Sequence, residues 1–356
     1  METRSSLTAN CCRNRFYAVG LLAACFLLLP VSAFANSAPV VSNVSANQRG
    51  DDSKLVDIRY DLADADGDSC TVWVVVSDNG GATWSVPAFT FAGHIGHGVF
   101  PGVNRHVIWD AGHDLVGISS IFKARVFADD GHGPSMVPVP ASYYPGSQTY
   151  LPAFFIDTYE VTNLRYCEFL NSIDPNPAYW NSSLEITRTS TTERYYYTVI
   201  PGREEYPVRY VSLYDAEAFA AWRSSQDGLT YRLPTEQEWE KAAGWDPVEQ
   251  HSYIYGCHSD TIDCTWCNYA GCGGGPTPVG YYNGTGGRKD AKSYYGCYDM
   301  SGNLWEWTSS YSGSDRVLRG GAWSDAASRC RVADRIYHTP STRTNHFGFR
   351  LVLDLE

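Results

Sequence analysis

The sequence predicts two folded parts: an all-β sandwich, then a mixed α+β domain rich in loops. Three observations carry this reading. Period-two apolar runs separated by turn residues occupy residues 38 to 133. Helix-capping signals begin only after residue 160. From Trp245 onward Gly, Asn, Trp and Tyr displace any helical period. The 356 residues are 44% hydrophobic and 14% aromatic, with 32 Gly, a length suited to about two ordinary domains.

The first 35 residues read as a secretory signal. Arg4, Arg13 and Arg15 precede an apolar core from Tyr17 to Val31, shorter than a membrane-spanning helix requires. Ala33-Phe34-Ala35 supplies a small-x-small cleavage site before Asn36. A secreted or periplasmic protein with no membrane span after cleavage is expected. Leu22-Ala23-Ala24-Cys25 also spells a lipobox, the alternative being a lipoprotein anchored through Cys25. Removing three Arg and Glu2 takes the net charge from −12 to −14. That balance, with no run of Lys or Arg, argues against a nucleic-acid partner. Nothing in the sequence sets the oligomeric state.

Lys54 to Tyr60 alternates as a half-buried strand should, and Cys70 to Val76 is rich in β-branched residues. Ser77 to Trp84 carries Asn79-Gly80-Gly81, suited to a tight hairpin, and resembles the Asp-box hairpin. Val107 to Trp109 and Phe122 to Ala128 supply later strands. The expected module, residues 38–133, is an immunoglobulin- or fibronectin-like sandwich. Asp64, Asp66 and Asp68 have the alternation of a calcium loop, but no bidentate Glu follows, which favours a solvated turn. His94 and His97 lack a third ligand. Pro-rich residues 134–145 read as a linker.

Residues 146–356 form the second domain. Thr162 is placed to cap a helix running to about Asn171, and Asp215 to start one reaching Ser224. Thr235-Glu236-Gln237-Glu238 is a capping box opening a helix through Ala243. The mature chain keeps Cys70, Cys167, Cys257, Cys264, Cys267, Cys272, Cys297 and Cys330. In an oxidising compartment the group from Cys257 to Cys272 reads as two local disulfides of undefined connectivity, with zinc as the alternative.

Four ordered segments resemble the formylglycine-generating enzyme (sulfatase-modifying factor) family. They are Phe155 to Asn163; Pro207 to Ser212 with Tyr231 to Glu240; Gly296 to Trp307; and Arg319 to Trp323 with Arg335 and Gly348 to Arg350. The resemblance implies a C-type lectin-like fold across the second domain. It also implies a calcium site at Asp299, Gly302, Leu304 and Glu306, where two carboxylates and two carbonyls suit a hard cation.

The family's oxidases hold copper(I) between two thiolates after the Gly-Gly of the fourth segment, a pairing suited to a soft ion. Here Ala322, Asp325 and Cys330 occupy that region. The expectation is therefore a domain lacking the catalytic cysteine pair, with copper absent and Cys330 a doubtful catalytic residue. The related iron enzymes use His-x3-His-x-Glu, a spacing that none of the nine His provides. The first functional expectation is a calcium-stabilised binding or scaffold module. Its cleft would be lined by Trp305, Trp323, Asp325, Arg319 and Arg335 and would receive a peptide or glycan. The second is an oxidase acting on a sulfatase-type peptide cysteine, which requires Cys297 or one of Cys257 to Cys272 to approach Cys330.

Overall fold

The computed structural model describes residues 39–81, 84, 86, 88, 90–114, 122–129, 136–144, 149–173, 177–192, 194–227 and 229–354. The signal and lipobox of the first 35 residues lie outside them, as do parts of the Asp-box hairpin and of the stretch read as a linker. The side chain of His97 is also outside.

The N-terminal part is β-rich and sandwich-like. One sheet orders Val40–Gln48, Leu55–Ala63, Gly102–Asp110 and Phe91–Gly93; the other orders Gly96–Val99, Cys70–Ser77 and Lys123–Asp129. The alternation in Leu55–Ala63 turns Val56, Ile58, Tyr60 and Leu62 inward, where they meet Val72, Val74, Val76 and Trp109. Among the acidic turn residues, Asp64 Oδ1 accepts the amides of Asp66, Gly67 and Asp68 at 2.8–3.1 Å, which closes a local turn.

The C-terminal part is mixed α+β. Thr162 caps the helix Asn163–Ser172. A second helix spans Leu213–Asp227, with Asp215 accepting Ser212 N at 2.6 Å. Thr235 and Glu238 form the reciprocal capping box of Glu236–Gly244. These helices flank two four-stranded sheets. One orders Tyr231–Arg232, Val352–Asp354, Phe154–Asp157 and Met136–Val139, so the C-terminal strand lies in the middle. The other orders Arg335–His338, Asp315–Arg319, Trp305–Ser312 and Phe347–Gly348, the last strand being parallel to its neighbour. After Trp245 the described residues contain a single short helical turn, Ala327–Cys330.

The stretch read as a linker is built into this frame. Met136–Val139 pairs along Phe154–Asp157. Trp73 and Phe127 of the sandwich pack on Phe155, with ring centroids 5.9 and 4.8 Å away. Residues from Val75 to Leu353 therefore share one apolar cluster, and the chain from Ser37 onward holds together as one unit.

Candidate thiol centre and metal-ligating groups

The four segments singled out in the sequence converge on a loop region held by backbone hydrogen bonds. The Asn268 carbonyl accepts Asn303 N at 2.9 Å, and the Asn303 carbonyl accepts Trp323 N at 2.9 Å. The Asp325 carbonyl accepts Ala270 N at 2.8 Å. The loop following Cys264 is thereby stitched to the turn following Arg319. Gly302 permits the contact: a Cβ there would stand 2.1 Å from the Asn268 carbonyl oxygen, and its φ is +83°. Ser301 adds a buried bridge, its hydroxyl accepting Gly256 N at 2.9 Å and donating to the Cys330 carbonyl at 2.6 Å.

This stitching gathers thiols far apart in sequence. Cys257, Cys267 and Cys330 are all buried and unbonded. Gly321 lets Cys330 seat: at φ +80°, any Cβ would lie 2.7 Å from its Sγ. Burial pushes the Cys257 thiol up to about 12. It does the same for Cys330, with help from the nearby Asp325 and Asp334 carboxylates. Cys267 is held well above the ordinary thiol range by burial first, then by Cys257 and Cys330. Cys257 and Cys330 belong to one buried apolar cluster, packed with Trp266 and Tyr269. Beside them, Cys264 and Cys272 are joined, with S–S 2.11 Å and Cα–Cα 5.1 Å.

These findings correct the cysteine expectations. The domain holds a cysteine pair, Cys264 and Cys272, against the expectation of a domain lacking its cysteine pair. Of the two local disulfides expected, one forms; Cys257 and Cys267 keep free, buried thiols. Cys297 is buried in a separate cluster beneath Trp239 and Met300.

The expected cleft residues separate into two groups. Trp305 donates from Nε1 to Asp325 Oδ2 at 2.7 Å, and the same carboxylate oxygen accepts Ala322 N at 3.1 Å. Trp323 lies half-buried with its ring 5.5 Å from His346, and burial lowers the His346 pKa. Of these, Asp325 lies within electrostatic reach of Cys330. Arg319 does not line an open cleft: it is fully buried, donating to Glu236 and Glu240 at 2.9 and 2.7 Å. Exposed Arg335 donates to the same Glu236 at 3.0 Å. A guanidinium between two carboxylates is neutralised in place, which suits support better than ligand capture.

The calcium expectation is also corrected. Both Glu306 oxygens accept from Arg350 at 2.7 Å, and Oε2 also accepts Trp239 Nε1 at 2.8 Å. Asp299 Oδ2 is taken by Gly280 N at 2.7 Å. Glu306 is thus committed to an internal ion pair beside Leu304 and Gly302. Glu160, fully buried and pushed well up by burial and then by Asp299 and Glu306, accepts Asn303 Nδ2 at 2.6 Å and Leu304 N at 3.1 Å.

A different set of ligand-capable groups lies on and after the hairpin Trp245–Asp246 and His251–Ser252. One atom each from Asp246, Glu249 and His258 fall within 4.8 Å of one another. Free, buried thiols in the domain remove the ground for excluding copper. The Asp246 group gave no signal in sequence, because its spacing matches no familiar ligand motif.

The family model "Sulfatase-modifying factor enzyme 1-like domain" matches residues 122–355. The chain belongs to this family. It is 32% identical over 249 residues to hercynine oxygenase of Mycolicibacterium smegmatis, covering 58% of this chain and 54% of that protein. It is 36% identical over 162 residues to "Inactive C-alpha-formylglycine-generating enzyme 2" of Bos taurus, covering 41% of this chain and 50% of that one. The chain thus spans about half the length of the curated relatives it matches. The solved structure of CarF aligns with 63% of this chain and 99% of its own at TM-score 0.50 and 22% identity, which shows shared fold. Similarity to an oxygenase, with the cysteine pair and the metal-ligating groups, overturns the reading of an inert binding or scaffold module.

Proposed function

We propose that this protein is an oxidoreductase of the formylglycine-generating kind, oxidising a cysteine side chain within a sulfatase-type peptide to an aldehyde. The observation that carries this reading is the shared buried cluster of Cys257 and Cys330, with Cys267 under the electrostatic influence of both and the Asp325 carboxylate of the Trp305–Asp325 pair acting on Cys330. The donor set fits copper(I): soft thiolates select soft ions, and binding would release the thiol protons that burial otherwise retains. Cys330 and Cys267 would hold it, with Cys257 alongside, and the metal would supply the reaction with dioxygen.

The chain's own residues do the remaining work. Burial shields the thiols from bulk water. Asp325 fixes the Trp305 indole and the turn at Ala322. Trp323 and His346 form the half-buried rim at which a peptide would dock, with Arg335 further out.

The surrounding organisation follows the same reading. The sandwich is read as immunoglobulin- or fibronectin-like over residues 38–133 and the second domain as C-type lectin-like over 146–356, with Met136–Val139 from the intervening stretch paired into the second domain's sheet. We place the protein in a secreted or periplasmic setting, where the Cys264–Cys272 disulfide would persist.

The test is direct. The full chain, loaded with copper(I) under oxygen, is given a Cys-x-Pro-x-Arg peptide, and aldehyde is captured with a hydrazide. The expected result is aldehyde formation that Cys330→Ser and Cys267→Ser each abolish. Turnover unaffected by both substitutions, or none by the parent protein, would overturn the assignment.

A further inference from the structure

We propose that Asp246, Glu249 and His258 bind a borderline divalent cation of the zinc class, at a centre distinct from the thiols. The residues arrive by different routes. Asp246 ends a two-residue strand, Glu249 lies in the following turn, and His258 comes from the loop after the hairpin. Their ligand atoms nonetheless lie within 4.8 Å of one another.

The site is oriented before any ion enters. Asp246 is buried, 2% exposed. Its Oδ1 accepts the amides of Val248 and Glu249 at 2.8 and 3.0 Å. That leaves Oδ2 facing His258 Nε2 at 2.8 Å. Two ligands at ~2.1 Å from a tetrahedral ion stand ~3.4 Å apart, so this hydrogen-bonded contact need open by only about half an ångström to admit one. Glu249 Oε2 accepts the Tyr253 hydroxyl at 2.5 Å, and the Tyr253 ring lies 4.2 Å from the His258 ring. Such outer partners hold ligands in direction and raise their affinity.

The donor set selects the ion. One imidazole nitrogen and two carboxylates are too few and too mixed for calcium, which takes six to eight oxygens. They are too hard for copper(I). A zinc-class cation accepts this set and keeps a fourth position for a small ligand. An apolar cavity of about 580 Å³ begins at the next residue, Pro247, and includes Tyr294, whose ring is 6.2 Å from His258. A ligand bound to the ion through an oxygen would find apolar surface beside it.

Cobalt(II) tests this in the full chain, as a spectroscopic stand-in for zinc. Bound at nitrogen and oxygen it gives visible d–d bands; bound at thiolates it adds intense near-ultraviolet charge-transfer bands. The expected result is d–d absorption without charge transfer, displaced by stoichiometric zinc. His258→Ala should abolish it, and Glu249→Gln should weaken cobalt affinity by about tenfold or more. His251→Ala, a neighbour outside the set, should leave it intact. Unchanged binding in both His258→Ala and Glu249→Gln, a spectrum dominated by thiolate charge transfer, or no binding at all would each overturn the proposal. The glutamine variant alters an exposed side chain and so covers the case in which the alanine variant fails to fold. None of these outcomes depends on peptide oxidation.

Discussion

Asp299 is a buried carboxylate with one polar partner, and burial raises its pKa to about 6. Its neutral form is favoured in the folded state. Between about pH 4 and pH 6 the native protein therefore binds more protons than the unfolded chain, and stability falls as pH rises through that window. Asn is neutral at every pH and keeps an oxygen for the Gly280 amide. Asp299→Asn should stabilise the protein above pH 6 by roughly 1–3 kcal/mol and change little near pH 4. Urea unfolding at the two pH values checks this; an equal shift at both would exclude the carboxylate as the cause. Glu306 and Arg350 are also buried but answer each other in an ion pair at 2.7 Å.

At the scale of elements, the loop from Cys264 to Cys272 matters most. It has little regular structure of its own, yet it carries Cys267 and Asn268 to the turn holding Cys330. The Cys264–Cys272 disulfide spans eight residues, a closure that stabilises by about 2.5 kcal/mol through restriction of the unfolded chain. Cys264→Ser with Cys272→Ser should lower stability by that order. It should also speed alkylation of Cys267, measured by mass-resolved labelling, while Cys297 in its separate cluster stays protected. Equal labelling of Cys267 with and without the disulfide would show that the hydrogen bonds at Asn268 suffice.

Elements with local causes were legible in the sequence. The Thr235–Glu238 capping box and the alternation of Val56, Ile58, Tyr60 and Leu62 depend on neighbours within a few residues. The surroundings of Cys330 were not legible, since 63 residues separate it from Cys267 and their loops are joined by the Ala270–Asp325 bond and by contacts through Ser301 and Asn303. Asp246 and His258 were missed for the same reason: a hairpin and a loop return their side chains to one place.

Across the whole molecule, the sandwich and the second domain share apolar packing rather than a free linker. Trp73 and Phe127 reach Phe155, which sits in the strand paired with both Met136–Val139 and Val352–Asp354. Trp73→Ala removes a large half-buried ring at this seam and should cost about 3 kcal/mol or more. It should also split the unfolding transition, with tryptophan fluorescence and far-ultraviolet circular dichroism no longer coinciding. A single unchanged transition would mean that the two parts do not support each other.

By itself the sequence determined the β-rich first part, the helices of the second, and membership of the sulfatase-modifying factor family. Each of these rests on periodicity, capping and motif order, which act over short stretches of chain. Only the tertiary structure decided which cysteines pair, which remain thiols, and that Glu306 answers Arg350 in an internal ion pair. Burial and the distance between remote loops set those outcomes. A carboxylate in a loop reads as a cation ligand until the fold shows which charge it already faces.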